Sequence, residues 1–150
     1  MQELINILKN RELTISCAES LTAGLFASTM GEYSGVSKVF KGGVVSYWSE
    51  IKQSVLNVPE SVILSSGVVS SECASYMARG VKELFKTDVS VSFTGNAGPE
   101  VMEGKPVGLV YIGLCINQTT FSFEYYFKGT RNEIRKQCII EATKKLIELL

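Results

Sequence analysis

Two neighbouring segments decide the fold: Val107-Gly108-Leu109-Val110-Tyr111-Ile112-Gly113-Leu114-Cys115-Ile116 and Thr119-Thr120-Phe121-Ser122-Phe123-Glu124-Tyr125-Tyr126-Phe127. The first is apolar almost without a break, as a strand buried on both faces must be. The second alternates, with Phe121, Phe123, Tyr125 and Phe127 on one face and Thr120, Ser122, Glu124 and Tyr126 on the other. Only Asn117-Gln118 separates the two, which predicts a β-hairpin.

On either side of this hairpin the pattern changes to alternating helices and strands. Residues 2–10 carry Leu4, Ile5, Ile7 and Leu8 at helical spacing, and Leu13 to Cys17 reads as a short strand. Leu21 to Met30 predicts a helix stopped by Gly31. Residues 32–37 form a loop. Val39 to Tyr47 reads as a strand whose Gly42-Gly43 pair predicts a bulge or a close backbone approach. Short helices follow over 49–56 and after Pro59. Ser70 can cap a longer helix over 71–85, with Ala74, Met77, Ala78, Val81, Leu84 and Phe85 facing inward. Asp88 to Phe93 is a further strand. Thr130-Arg131-Asn132-Glu133 is a capping box opening the last helix, in which Ile134, Cys138, Ala142 and Leu146 recur every fourth position. The order predicts one domain: a three-layer α/β/α sandwich with a mixed, mostly parallel sheet and one antiparallel hairpin strand.

Composition narrows the function. Fifteen Lys and Arg balance fifteen Asp and Glu, so no net field draws the chain to nucleic acid or anionic lipid. No run approaches the ~20 apolar residues of a membrane span. Glu3 stands where a signal peptide would carry basic residues. Cys17, Cys73, Cys115 and Cys138 lie far apart in apolar surroundings, so they read as buried, reduced thiols of a cytoplasmic protein.

The chain has no histidine. That excludes a Ser-His-Asp or Cys-His mechanism within one chain, and any His-ligated zinc or haem. Three segments nevertheless look like parts of a site: Ala18-Glu19-Ser20-Leu21-Thr22-Ala23-Gly24, Tyr47-Trp48-Ser49-Glu50-Ile51-Lys52 and Thr94-Gly95-Asn96-Ala97-Gly98-Pro99. Ser20, at a strand-to-helix junction, is either a nucleophile beside free helix N–H groups or simply the helix N-cap. A lysine held neutral can serve as base where imidazole is absent. Lys52 is either that base or an ordinary surface lysine. As a base near pH 7 its pKa must fall from ~10.4 to ~7, at a cost of roughly 4 kcal/mol. Tyr47 and Trp48 are a stacking wall or a piece of core. The glycines after Thr94 either turn N–H groups toward a ligand or form a plain turn. Loops at the carboxyl ends of the first strand and of Asp88–Phe93 can converge, as ligand sites in open α/β sheets do.

Together the segments resemble the CinA C-terminal domain, the nicotinamide-nucleotide amidase family. The matching residues are Ala18-Glu19-Ser20 with Thr22 and Gly24, Tyr47 with Lys52, Gly67-Val68-Val69-Ser70, Thr94-Gly95 with Ala97-Gly98-Pro99, Lys105-Pro106-Val107-Gly108 and Gly129-Thr130-Arg131. Order and spacing agree over residues 3–150. The resemblance implies hydrolysis of the carboxamide of nicotinamide mononucleotide to nicotinic acid mononucleotide and ammonia. It implies Ser20 as nucleophile and Lys52 as base, with Tyr47 beside them. Thr22, Gly24, Thr94, Gly95, Asn96 and Arg131 would surround the substrate. It further implies no metal or organic cofactor and a homodimer or higher homo-oligomer. Several members carry a separate N-terminal domain outside the matched region. The sequence departs from the family at Leu21 for Cys, Ala23 for Gly, Trp48-Ser49 for Ser-Asn and Asn96 for Ile. Glu100-Val101-Met102-Glu103 replaces a glycine-rich stretch, putting an indole and two acids near the presumed pocket. The rival expectation is a catalytically silent relative that binds a nucleotide or a protein partner.

Overall fold

The computed structural model describes residues 1–150. Five strands form one sheet in the order β2-β1-β3-β4-β5, where β1 is Ile15–Glu19, β2 Phe40–Val45, β3 Val89–Gly95, β4 Leu109–Ile116 and β5 Thr119–Tyr126. β1 pairs in parallel with both β2 and β3, whereas β4 pairs antiparallel with β3 and β5. Four strands therefore run one way and β4 alone runs back. The hairpin is present, and Asn117 takes the left-handed φ of 54° that the turn requires.

Six helices cover the faces: α1 Gln2–Asn10, α2 Leu25–Gly31, α3 Ser49–Ser54, α4 Glu60–Ser65, α5 Ser71–Phe85 and α6 Arg131–Leu149. α1, α2 and α6 lie over one core of 21 buried residues, which includes Ile15, Val89, Val91, Phe93, Val110, Ile112 and Leu114 from the sheet. α5 and the segment around Leu56 and Val58 close the other face over a core of nine. The two faces differ because β1 and β3 alternate large and small residues. Ser16, Ser90 and Ser92 point toward α5, fully buried. Their hydroxyls donate to the carbonyls of Val81, Ala78 and Ala74, so small polar side chains let the helix backbone approach the sheet. Gly113 and Gly80 serve the same purpose: a Cβ there would strike the carbonyls of Ala74 and Leu56.

Several expectations are refined. The bulge is real, since the β1–β2 register shifts between Ile15 and Ser16 and a Cβ on Gly43 would collide with Cys17. Leu84 does not face inward; it is 51 % exposed, whereas the next residue, Phe85, packs over Gly42 of β2. Residues 21–24 are a turn rather than helix, because Ala23 and Gly24 take left-handed φ of 47° and 91° and α2 starts only at Leu25. Phe121, Phe123 and Tyr125 of β5, with Phe127 just beyond it, pack on the chain's own first core, leaving Tyr126 as the exposed aromatic of that strand. The four cysteines are buried free thiols. Both side-chain caps form: Ser70 accepts from Cys73 N at 3.1 Å, and the Thr130–Glu133 box is reciprocal.

This topology positions the site. The chain leaves β1 through α2 to reach β2 on one side, then returns through α5 to β3 on the other. The carboxyl ends of β1, β2 and β3 therefore open together at a topological switch point.

Candidate active site

The end of β1 delivers Ser20, which is 6 % exposed, into a turn held from both sides. Ser20 N–H donates to Phe93 O on β3 at 3.0 Å, and Ser20 O accepts from Ala23 N at 3.1 Å. Glu19 organises the rest of the turn. Its buried carboxylate accepts from the N–H groups of Gly24, Phe26 and Ala27 at 3.0, 3.1 and 2.9 Å. This corrects the part that both readings of Ser20 assigned to helix α2. Ser20 is not the cap of α2, and the first N–H groups of that helix are not free for a ligand, because Glu19 takes them. The unbonded donors are instead the N–H groups of Leu21 and Thr22, which make no hydrogen bond within the chain. Arg135 on α6 steadies the same turn by donating Nη2 to Thr22 O at 2.8 Å.

Lys52 is no surface lysine. It is 1 % exposed, and its Nζ lies 3.0 Å from Ser20 Oγ, 2.6 Å from Ser46 O and 3.4 Å from Tyr47 O. No carboxylate forms an ion pair with it. Burial pushes its pKa below the ordinary ammonium value, against the smaller pulls of Cys73 and Glu103. Cys73 is itself held up at about 11 by burial, so at neutral pH it is an uncharged thiol. The local sequence explains the placement. Trp48 opens the short helix α3 in an extended conformation, and four residues later Lys52 projects back over the end of β2.

A cleft of about 560 Å³ opens onto Ser20, lined by Leu21, Tyr47, Trp48, Gly95, Asn96, Ala97, Glu100, Val101, Met102 and Arg131 among others. Arg131 spans its rim, donating Nη1 to Gly98 O at 2.8 Å and Nη2 to Tyr47 Oη at 2.6 Å. Tyr47 and Trp48 belong to this wall and not to the core, being 50 % and 72 % exposed.

The remaining residues singled out in the sequence fall into two groups. Gly95 and Asn96 line the cleft, but the Asn96 amide is spent on its own loop. Nδ2 donates to the carbonyls of Met102 and Lys105, and Oδ1 accepts from Met102 N. Thr22, Gly24 and Thr94 do not line it. Gly24 is the N-cap of α2 with its N–H on Glu19, and Thr94 Oγ1 donates to Val68 O at 2.5 Å, tying β3 to the 67–70 turn. Thr22 is buried, with its hydroxyl unpartnered. The two acids after Pro99 also separate. Glu100 faces the cleft, whereas Glu103 turns away and accepts from Val68 N, Val69 N and Lys105 Nζ at 2.6, 3.2 and 2.9 Å. No group of three or more His, Cys, Asp or Glu side chains is placed to hold a metal ion.

Ser46 and Arg135 are not picked out by the sequence, and Glu19, Glu103 and Lys105 stand there only inside quoted segments, with no role of their own. Glu19 stood inside a quoted motif, and a lone acid at a strand end before a small-residue turn is the signal for a carboxylate cap. Ser46 acts through its carbonyl, which no side-chain pattern reveals.

The sequence model of the CinA C-terminal domain matches residues 1–150. The chain belongs to the CinA C-terminal domain family. A Bacillus thuringiensis (strain Al Hakam) relative with the provisional name competence-damage inducible protein is 50 % identical over 134 residues, covering 89 % of this chain and 32 % of the relative. The chain thus spans about a third of the length of such relatives. Among solved structures, the competence/damage inducible protein CihA of Agrobacterium tumefaciens is 33 % identical with a TM-score of 0.94, over 99 % of this chain and 92 % of that one. The competence damage-inducible protein A of Klebsiella pneumoniae is 27 % identical with a TM-score of 0.96, over 98 % and 92 %. The α/β architecture with its five-stranded mixed sheet is that of the CinA fold. No helix is long and apolar enough to cross a membrane.

Proposed function

We propose that this CinA-family chain is a cytoplasmic amidase that hydrolyses the carboxamide of nicotinamide mononucleotide, using Ser20 as nucleophile and Lys52 as its base. The observation that carries the reading is a buried lysine, without an ionised partner, at hydrogen-bond distance from a serine on a tight turn. Burying an uncompensated ammonium is costly, and a neutral amine relieves that cost. As a neutral amine, Lys52 donates its two N–H groups to Ser46 O and Tyr47 O. Its lone pair is then left for the Ser20 hydroxyl.

The reaction follows from these atoms. Ser20 Oγ attacks the amide carbon as Lys52 Nζ takes its proton. The carbonyl oxygen becomes an oxyanion beside the unbonded N–H groups of Leu21 and Thr22. Lys52 then returns the proton to the leaving nitrogen, so the C–N bond breaks and ammonia departs from an acyl-Ser20 ester. Water, deprotonated by the same amine, hydrolyses the ester and restores Ser20. Tyr47 and Arg131 fix the rim where the rest of the substrate lies.

Ammonia release by the purified protein with nicotinamide mononucleotide, against glutamine and free nicotinamide as controls, tests the assignment. Activity confined to free nicotinamide removes the nucleotide and keeps the amidase. Release from no amide makes the chain a silent relative. Two further results are expected of the same preparation. Turnover survives prolonged treatment with EDTA, since the mechanism uses no metal; loss on chelation, restored by a divalent ion, overturns it. The protein also scatters light as a two-fold dimer, which covers the exposed Tyr126 edge. A 16.4 kDa species throughout the micromolar range rules the dimer out.

A further inference from the structure

One charged side chain packed against the Ser20 turn has no part in the reaction above. Arg135 lies one turn of α6 beyond Arg131. Arg131 lines the cleft, whereas Arg135 is half-buried against the 20–24 turn. Its guanidinium donates Nη1 to Asn132 Oδ1 at 3.1 Å and Nη2 to Thr22 O at 2.8 Å. No carboxylate forms an ion pair with it. A cation drawn out of water is ordinarily matched by an acid, and this one is spent on a backbone carbonyl instead.

From Thr22 the hydrogen bonds run on in one direction. The carbonyl that Arg135 holds shares its peptide group with Ala23 N–H, which donates to Ser20 O at 3.1 Å. Ser20 O in turn shares its peptide group with Leu21 N–H, which makes no hydrogen bond within the chain. Ser20 and Leu21 line the cleft and Thr22 does not, so Leu21 N–H is the donor at the open end of this series. Each bond in such a chain polarises the next, and a cation at one end strengthens the donor at the other. The turn has a use for that charge. The buried Glu19 carboxylate accepts from Gly24, Phe26 and Ala27 N–H, and it opposes a second anion forming nearby.

We propose that Arg135 is a positioning residue for the oxyanion, acting on Leu21 N–H through the Thr22–Ala23 and Ser20–Leu21 peptide groups. This rests on the reading of Ser20 as nucleophile given above and deepens it. Arg135 touches no reacting atom. Its loss orphans no carbonyl, because Thr22 O also accepts from Leu25 N at 3.0 Å.

The full chain is treated with 4-nitrophenyl acetate labelled with carbon-13 at the carbonyl. Ser20 Oγ attacks the acetyl carbon, Lys52 takes the hydroxyl proton, and the bond to the departing 4-nitrophenolate breaks, leaving acetyl-Ser20. The 4-nitrophenolate burst gives the acylation rate, peptide mass mapping locates the acetyl group, and infrared difference spectra report the ester carbonyl stretch. Arg135→Gln is expected to slow acylation at least ~10-fold while the half-saturating ester concentration stays within about twofold. The melting temperature should move by no more than about 3 °C. The acetyl-Ser20 stretch should rise in frequency, because a weaker donor polarises the carbonyl less. Arg135→Lys keeps the charge and should restore the rate to within about threefold of the parent. Unchanged acylation in Arg135→Gln, an unmoved stretch, or a loss as large in Arg135→Lys each overturns the proposal. Failure of the amidase reading is distinguishable from this. Arg135-dependent acetylation of Ser20 without ammonia release from nicotinamide mononucleotide removes that substrate and keeps Arg135. Ammonia release indifferent to Arg135 does the reverse, and a parent protein that never gains acetyl on Ser20 removes both.

Discussion

Ser20→Ala is expected to lower turnover by at least ~10³-fold while moving the melting temperature by no more than about 3 °C. The rate falls because no other hydroxyl stands at 3.0 Å from the Lys52 amine. The fold survives because the cap of α2 is the Glu19 carboxylate, not Ser20. Lys52→Met, which keeps the shape of the stem and removes the base, should fall to a similar floor. The double variant should be scarcely slower than either single one, since members of one catalytic unit are not additive. Lys52→Arg should fail to rescue, because guanidinium stays protonated. The pH profile carries the sign of the mechanism. Burial lowers the Lys52 pKa, so turnover rises with pH as the ammonium loses its proton and levels off above that lowered value. Residual turnover in Lys52→Met should lack this rise. Near-normal turnover in folded Ser20→Ala, or a profile that falls where Lys52 deprotonates, ends the proposal.

Glu19→Ala should produce the largest loss of stability of any single substitution near the site. The side chain is 1 % exposed and accepts from three backbone N–H groups, with Cys17 Sγ 3.6 Å from one oxygen. Each buried donor left unpaired costs ~1–3 kcal/mol, so a total of about 4 kcal/mol is expected, discounting for water reaching the partly buried Gly24 and Ala27 N–H groups. For a domain of this size that is a drop of roughly 10 °C in melting temperature. Glu19→Gln should recover part of it, because the amide oxygen still accepts while its NH2 faces donors. Thermal melts of Glu19→Ala beside Ser20→Ala decide which residue holds the turn. A loss confined to Ser20→Ala makes serine the cap after all.

Secondary structure, the hairpin and the core faces of α5 and α6 were legible in the sequence because they follow from local periodicity. Thr130–Glu133, Ser70 and the Gly42-Gly43 bulge are decided within a few residues, so their chemistry is written in the chain. The segments holding Ser20, Tyr47 and Lys52 were visible for a different reason, the match of their order and spacing to a family. The absence of histidine also reduced the available bases before any fold was known. The side chains of Leu21 to Gly24 permit a helix, so local pattern alone predicts one there. The left-handed Ala23 and Gly24 are stabilised by Glu19 and Arg135, and Arg135 arrives from α6, 113 residues beyond Thr22.

What only the tertiary structure decided is where each polar group spends its hydrogen bonds. Nothing local distinguishes Lys52 from an exposed lysine; it is a candidate base only because α3 folds back over β2 and buries it against the carbonyls of Ser46 and Tyr47. Asn96 and Thr94 look equally available in the sequence, yet one holds the 96–105 loop and the other the 67–70 turn. Glu100 and Glu103 differ in the same way, one left open in the cleft and the other satisfied by Val68, Val69 and Lys105. The sequence alone determined which elements form, because periodicity and capping act over neighbouring residues. Which side chains remain free to react depended on partners brought together from distant parts of the chain, and those pairings exist only once the sheet order is set.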